Sequence, residues 1–335
     1  MFQVVEADTA DEMWLKATAW FEPLGFATRQ GSRCGNTIEV LHGALSLSNP
    51  RQRWIASRAP AINPAYALAE VIWIMNGRND SAMPNYFNPR LPKYAGDKAS
   101  YHGAYGFRLR QHFGLDQLQR AYSALLANGE SRQIVLQFWD CKMDLPTEKG
   151  APRAEDIPCN VMSILKLRDG RLEWTQIMRS NDFILGLPHN IVQFTCLQEV
   201  MAGWLGVQLG EFNHFADSLH IYDHDAPITR RIDTCILPRN NESIALPKVE
   251  SERSFANLGR FADVLSSSAI AVAELLTTFN ELEVDPSFRS WASILTADAL
   301  RRRKACKEME AVMNGCSNPC LATLFERWLR RKSES

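Results

Sequence analysis

The run from Ile157 to Tyr222 constrains this chain more than any other stretch. Ile157-Pro158-Cys159-Asn160 leads into Val161-Met162-Ser163-Ile164-Leu165-Lys166-Leu167, whose apolar content is that of a strand, so a thiol stands where a buried sheet begins. On residue type alone a cysteine there is ordinary packing, because cysteine is among the most buried side chains. A nearby cation changes that reading, since arginine lowers a thiol pKa and raises the thiolate fraction. Arg179, within Met178-Arg179-Ser180-Asn181-Asp182, is the candidate. Leu185-Gly186-Leu187-Pro188-His189-Asn190 and His220-Ile221-Tyr222 follow. A thiol, an arginine, an amide and a His/Tyr pair can attack an electrophile, hold an anion, read a base edge and bind a sugar hydroxyl.

The rest of the sequence sets bounds. With 335 residues, 46% of them hydrophobic, the chain can bury a large core as one elaborated domain or one domain with an appendage. Its 37 basic and 38 acidic residues give a net charge of −1, so a nucleic-acid partner is not expected, although a local anion site is open to it. There is no apolar run of about 18 residues and no basic-then-apolar leader, so neither a membrane span nor a signal peptide is expected. Eight scattered cysteines without a CxxC pair read as reduced thiols of a cytoplasmic protein with no metal site. The spacing of Cys316 and Cys320 is read as a helix-surface coincidence.

Periodicity predicts helices over Ala10 to Phe21 and over Pro64 to Asn76, the second begun by proline and ended by Gly77. A third spans Asp116 to Ala127, with Leu118, Ala121, Leu125 and Leu126 as its apolar face. Ile134 to Trp139 reads as a buried strand. Asn79 to Arg110 is too rich in Pro, Asn, Tyr and Gly for one regular element, and Cys141 to Asp156 reads as a mobile surface insert. Asn190 precedes the helix-like run Ile191 to Leu205, where an asparagine is commonly an N-cap. Phe255 to Leu329 carries two or three apolar-periodic segments broken at Asp285-Pro286. The basic runs Arg301 to Lys304 and Arg327 to Lys332 read as solvated helix faces or ends. His214, His220 and His224 do not have a strong metal-ligand spacing.

Pro158-Cys159, Arg179-Ser180-x-Asp182, Leu185-Gly186-x-Pro188-x-Asn190 and His220-x-Tyr222 together resemble the thymidylate synthase family, which includes the pyrimidine nucleotide hydroxymethylases. The resemblance runs from about Ser32 to Tyr222 and fades beyond Ile236. It implies an α/β (α+β) fold with a mixed sheet and surrounding helices, and a homodimer formed through the sheet. The expected division is a catalytic domain over 1–240 and a divergent α-helical extension over 241–335. The implied ligands are a pyrimidine nucleoside 5′-monophosphate and 5,10-methylenetetrahydrofolate.

The resemblance also implies roles. Cys159 would add to C6 of the pyrimidine, Arg179 would activate the thiol and touch phosphate, and Glu70 with Tyr105 would manage protons. Arg33, Arg132 and Ser180 would hold the phosphate, Asn190 the base edge, His220 and Tyr222 the sugar, and Asp182 the pterin. Departures from the family pattern are Gln133 for a second arginine, Asn160 for the usual histidine, Met178 before Arg179, Ser218, and no tryptophan near Leu91 to Tyr94. The lost tryptophan and the altered C-terminus point to hydroxymethylation rather than methylation, because methyl formation needs water kept out. Uracil is the expected base, with cytosine left open, since an asparagine amide can serve either. Thymidylate synthesis and a non-catalytic nucleotide-binding role are the alternatives, and a retained thiol and carboxylate speak against the latter.

Overall fold

A computed structural model describes residues 1–22, 26–32, 35–230, 232–233 and 236–333. β1 (Gln3–Ala7) leads into α1 (Ala10–Thr18), where the Thr9 hydroxyl accepts from the Glu12 amide, and a 3-10 turn at Ala19–Phe21 ends the expected segment. β2 (Thr28–Ser32) and the long β3 (Gly35–Leu47) come next. α2 (Pro64–Met75) begins where the Asn63 side chain caps two amides, and Gly77 at a φ of +65° stops it as the sequence predicts. The irregular segment holds three short helices, α3 (Ala82–Phe87), α4 (Pro92–Ala95) and α5 (Tyr105–Phe107). A Cβ on Gly106 would fall 2.5 Å from the Ile74 carbonyl, so this glycine seats α5, and Tyr105 with it, on α2.

α6 (Gln117–Ala127) is capped by Asp116 and buries Leu118, Ala121 and Leu125, whereas Leu126 is exposed. The expected buried strand is only β4 (Val135–Gln137), with Leu136 alone buried, because it is the last strand of the sheet and pairs on one side only. The 141–156 insert is tied down rather than loose. Its α7 (Cys141–Asp144) ends in a buried carboxylate that binds Arg108 at 2.6 Å and His102 at 2.7 Å, and Asp156 accepts the Gly103 amide at 2.8 Å. β5 (Asn160–Arg168) and β6 (Arg171–Met178) form a hairpin turned by Asp169 and Gly170, both at positive φ. β7 (Asn181–Asp182), α8 (Gly186–Leu205) and β8 (Gln208–Tyr222) complete the motif-bearing region.

Among the described residues these strands make one eight-stranded sheet in the order β1-β3-β8-β6-β5-β4, with β2 on β3 and β7 on β8. It is mixed: β1/β3, β6/β8 and β7/β8 are parallel, and the other pairs antiparallel. Side chains alternate across it, so Leu165, Trp174, Phe212 and Leu219 point into the core beneath α2 and α8. Each such side chain, fully buried, contributes about 1.5–3 kcal/mol. The opposite face carries Met162, Ile177 and Phe215 in register on neighbouring strands, all half-buried.

The C-terminal helices are α9 (Lys248–Ser266), α10 (Val272–Asn280), α11 (Arg289–Arg302), α12 (Cys306–Asn314) and α13 (Pro319–Ser333), with Asp285-Pro286 breaking the chain before α11. α11 is buried along its whole middle, from Ser290 to Leu300, and both α11 and α13 pack on α2. The Arg301 to Lys304 run is not simply a solvated helix end. Arg301 and Arg302 both bind the buried Asp298, Arg302 also reaches the Phe87 carbonyl, and Arg303 reaches the Tyr86 hydroxyl. A buried carboxylate recruits these cations from solvent because leaving it unpaired would be costly.

Candidate active site

One cavity of about 1060 Å³ opens where α2, the first turn of α8 and the ends of β5, β6 and β8 converge. Cys159 lies just before β5 and is half-buried. The chain crosses to Arg179 through the pairing of Asn160 with Met178, which fixes the two residues side by side. The Arg179 amide donates to the Cys159 carbonyl at 2.9 Å, its Nε to the Pro158 carbonyl at 2.9 Å, and its Nη2 to the Ile157 carbonyl at 3.2 Å. These three bonds leave Nη2 4.0 Å from the Cys159 sulfur, and the guanidinium also stacks over Trp139 at 5.4 Å. A fixed cation beside a thiol favours the thiolate.

Glu70 faces this pair from α2. Burial pushes its carboxyl up to about 7, against hydrogen bonds from Tyr66 and Gln193 that favour the charged form; the Tyr66 bond is 2.7 Å. His189 Nδ1 lies 3.4 Å from Glu70, but burial and the nearby Arg58 charge push this imidazole down to about 3, so it stands neutral there. The Tyr105 hydroxyl is held well above its usual range, chiefly by burial and then by the neighbouring Cys159, Asp156 and Glu70. A carboxyl that gains and loses a proton near neutrality, beside a neutral phenol, is suited to proton transfer.

Ser180 Oγ lies 3.4 Å from His220 Nδ1, and the His220 and Tyr222 rings meet edge to face at 5.4 Å. Asp182 accepts the Ile184 and Leu185 amides at 2.7 and 2.8 Å, and burial raises its pKa. Asn190 is not an N-cap: α8 starts four residues earlier, at Gly186, and places the amide on the first turn facing the cavity. All nine of these expected site residues that the structure describes near Cys159 therefore share one cavity. Arg132 is exposed and is not among the lining residues. Arg33 lies outside the described residues.

Sequence reasoning gave no role to His189, Gln193 or Asn181, although His189 and Asn181 sit inside the motifs. Their signal is a polar residue at a position that packs against α2 or β8, which only the fold discloses. Asn160 turns inward to Gln176 and leaves the cavity, so the departure at that position is a core exchange. The walls are partly aromatic, with Trp73, Tyr94 and Trp328 besides Trp139, and Arg302 adds a cation. α11 and α13 thus supply part of the same wall as Leu91 and Tyr94.

Cavities for small ligands commonly measure roughly 300–1,000 Å³, so this one lies at the top of that range. The thymidylate synthase family model matches residues 37–262, beyond Ile236 and into α9. The deoxyuridylate hydroxymethyltransferase of Pseudomonas phage M6 is 39% identical over 163 residues, 48% of this chain and 45% of that protein. That of Bacillus phage SP01 is 32% identical over 225 residues, 63% of this chain and 57% of the relative. A putative thymidylate synthase of Methanothermobacter marburgensis is 30% identical over 226 residues, 65% of this chain and 92% of that protein. The chain spans about half the length of the two phage proteins. With the motifs gathered in one cavity and the family model running through most of the sheet and both helices above it, the chain belongs to the thymidylate synthase family.

Proposed function

We propose that this protein hydroxymethylates C5 of deoxyuridylate, using 5,10-methylenetetrahydrofolate and a transient bond between Cys159 and C6. The observation that carries the reading is the Cys159 sulfur held 4.0 Å from the Arg179 guanidinium in the same cavity as a Glu70 that titrates at about 7. Addition of the thiolate to C6 makes C5 nucleophilic, and the folate supplies the one-carbon unit. Glu70, with Tyr105 beside it, moves the protons that this addition and its reversal require. Ser180 and Arg179 meet the phosphate, a compact dianion suited to charge-assisted bonds, and His220 with Tyr222 meets the sugar. The aromatic walls and the buried Asp182 fit a flat, polar-edged pterin.

Water rather than hydride completes the reaction in this reading. The names of the two phage relatives support it, as does the absence of a tryptophan between Leu91 and Tyr94. The active form is a homodimer built on the open sheet face of Met162, Ile177 and Phe215, with Arg132 and Arg33 completing the phosphate site. The test is product analysis after incubation with deoxyuridylate and the folate. A nucleotide heavier by CH2O, with tetrahydrofolate released, is expected. A gain of CH2 with dihydrofolate formed would make it a thymidylate synthase, and no turnover together with nucleotide binding would make it a binding protein.

A further inference from the structure

A line of buried amides runs behind the cavity. His214 Nε2 is 2.9 Å from Asn181 Oδ1, Asn181 Nδ2 donates to Asn190 Oδ1 at 2.9 Å, and Asn190 Nδ2 donates to Gln193 Oε1 at 3.0 Å. Gln193 in turn approaches Glu70 as a donor that favours the carboxylate. All four residues are buried. A Cβ on Gly186 would lie 2.9 Å from Asn181 Nδ2, so the glycine leaves the room this amide occupies.

The line has a direction. Asn190 Nδ2 gives its hydrogen to Gln193 Oε1, which leaves the Gln193 nitrogen free to favour the charged form of Glu70. Asn190 then gives its nitrogen to Gln193 and its oxygen to Asn181, and Asn181 keeps its own oxygen for His214. Burial pushes the His214 pKa down to about 3 and keeps the ring neutral, and because its Nε2 faces the Asn181 oxygen, an acceptor, its single N–H sits there and closes the line. Turning the Asn190 amide over by itself would set N–H against N–H at Asn181 and oxygen against oxygen at Gln193. Two buried bonds would be lost at once.

We propose that His214 and Asn181 are positioning residues for base choice: they hold the Asn190 oxygen toward β7 and β8 and its nitrogen toward Gln193 and α2, the orientation that accepts a 4-oxo pyrimidine and refuses a 4-amino one. The inference rests on the proposed function, which puts C6 at Cys159 and the sugar near His220 and Tyr222. C4 is the ring atom opposite the sugar-bearing N1, so its substituent lies on the Glu70 side and N3 lies nearer β8. Uracil presents an oxygen at C4 and an N–H at N3, matching the Asn190 nitrogen and oxygen in turn. Cytosine presents an amino group to the nitrogen and a lone pair to the oxygen.

The experiment is calorimetric titration of deoxyuridylate and deoxycytidylate into the unaltered protein and into His214→Phe, His214→Gln and Asn181→Leu, each checked for folding by circular dichroism. The unaltered protein is expected to prefer deoxyuridylate by about a hundredfold or more, the scale of two mismatched buried hydrogen bonds. His214→Phe and Asn181→Leu break the line and should cut that ratio by about tenfold, the scale of one such bond. His214→Gln still offers a donor to Asn181 and should keep most of the preference. A purely structural role would weaken both nucleotides equally and leave the ratio unchanged, which overturns the proposal while deoxyuridylate binding stands. Preference of the unaltered protein for deoxycytidylate also overturns it. Binding of neither nucleotide would overturn the proposed function itself. Should one broken variant not fold, the other decides.

Discussion

Exchanging the Cys159 sulfur for oxygen alters one atom and removes the proposed nucleophile, because a serine hydroxyl is far less ionised than a thiol beside a guanidinium. Cys159→Ser should abolish tritium release from 5-tritiated deoxyuridylate while nucleotide affinity stays within about threefold, since the phosphate and base contacts remain. Turnover within tenfold of the parent would exclude Cys159. Glu70 gives a prediction with a sign. Its folded pKa of about 7 lies above the unfolded value of 4.5, so the folded state binds this proton more tightly, and stability falls as pH rises from 4.5 through 7. Glu70→Gln removes the charge and should stabilise the protein, the gain growing by on the order of 2 kcal/mol between pH 5.5 and 8. Urea unfolding at the two pH values checks it, and a gain equal at both would contradict the burial account. That Cys159, Arg179 and Glu70 share one cavity was legible because they stand in motifs. The environment of Glu70 was not: Tyr66, Gln193 and His189 come from two helices, and their convergence is tertiary.

Elements were legible where caps and periodicity agree. α2 has a proline start, an asparagine cap and a glycine stop, all local signals, and the sequence locates it to within a residue. α8 starts earlier than its apolar pattern because Gly186, Pro188 and His189 look like a loop, yet proline is tolerated in a first helical turn. The 141–156 segment looks mobile because Asp144 is one acid in a charged run, and only the fold brings Arg108 and His102 to it. α11 teaches the same lesson. Its basic end is organised by Asp298, which is fully buried while its two arginine partners keep about a fifth of their surface. Asp298→Ala strands both guanidiniums and should cost about 2–4 kcal/mol in urea unfolding. Because Arg302 also lines the cavity, the same change should raise the folate KM more than the nucleotide KM. Equal effects on both would detach α11 from the folate side.

For the whole molecule, the proposed homodimer would form through the open sheet face. Met162, Ile177 and Phe215 align across three strands, and a charge at their centre would be buried in a face-to-face pair. Ile177→Asp should convert a dimer to a monomer in analytical ultracentrifugation and lower activity at least tenfold if Arg132 serves the neighbouring copy. A sedimentation coefficient unchanged from the parent would exclude this face. Among the described residues no helix is long and apolar enough to cross a membrane.

Cys159 and Asn190 stand just before β5 and on the first turn of α8, whereas Arg302 and Trp328 arrive on α11 and α13. Because a chain is made from its N-terminus, the residues that line the chamber are synthesised in two instalments. A chain released by the ribosome only as far as β8 already contains the nucleophile and its arginine, but one wall stands open until the later helices dock on α2. On the proposed function, the one-carbon donor would therefore report on the later helices in a way the nucleotide does not. In a pulse of protease, the folate should slow cutting within α13, and deoxyuridylate by itself should leave that rate unchanged.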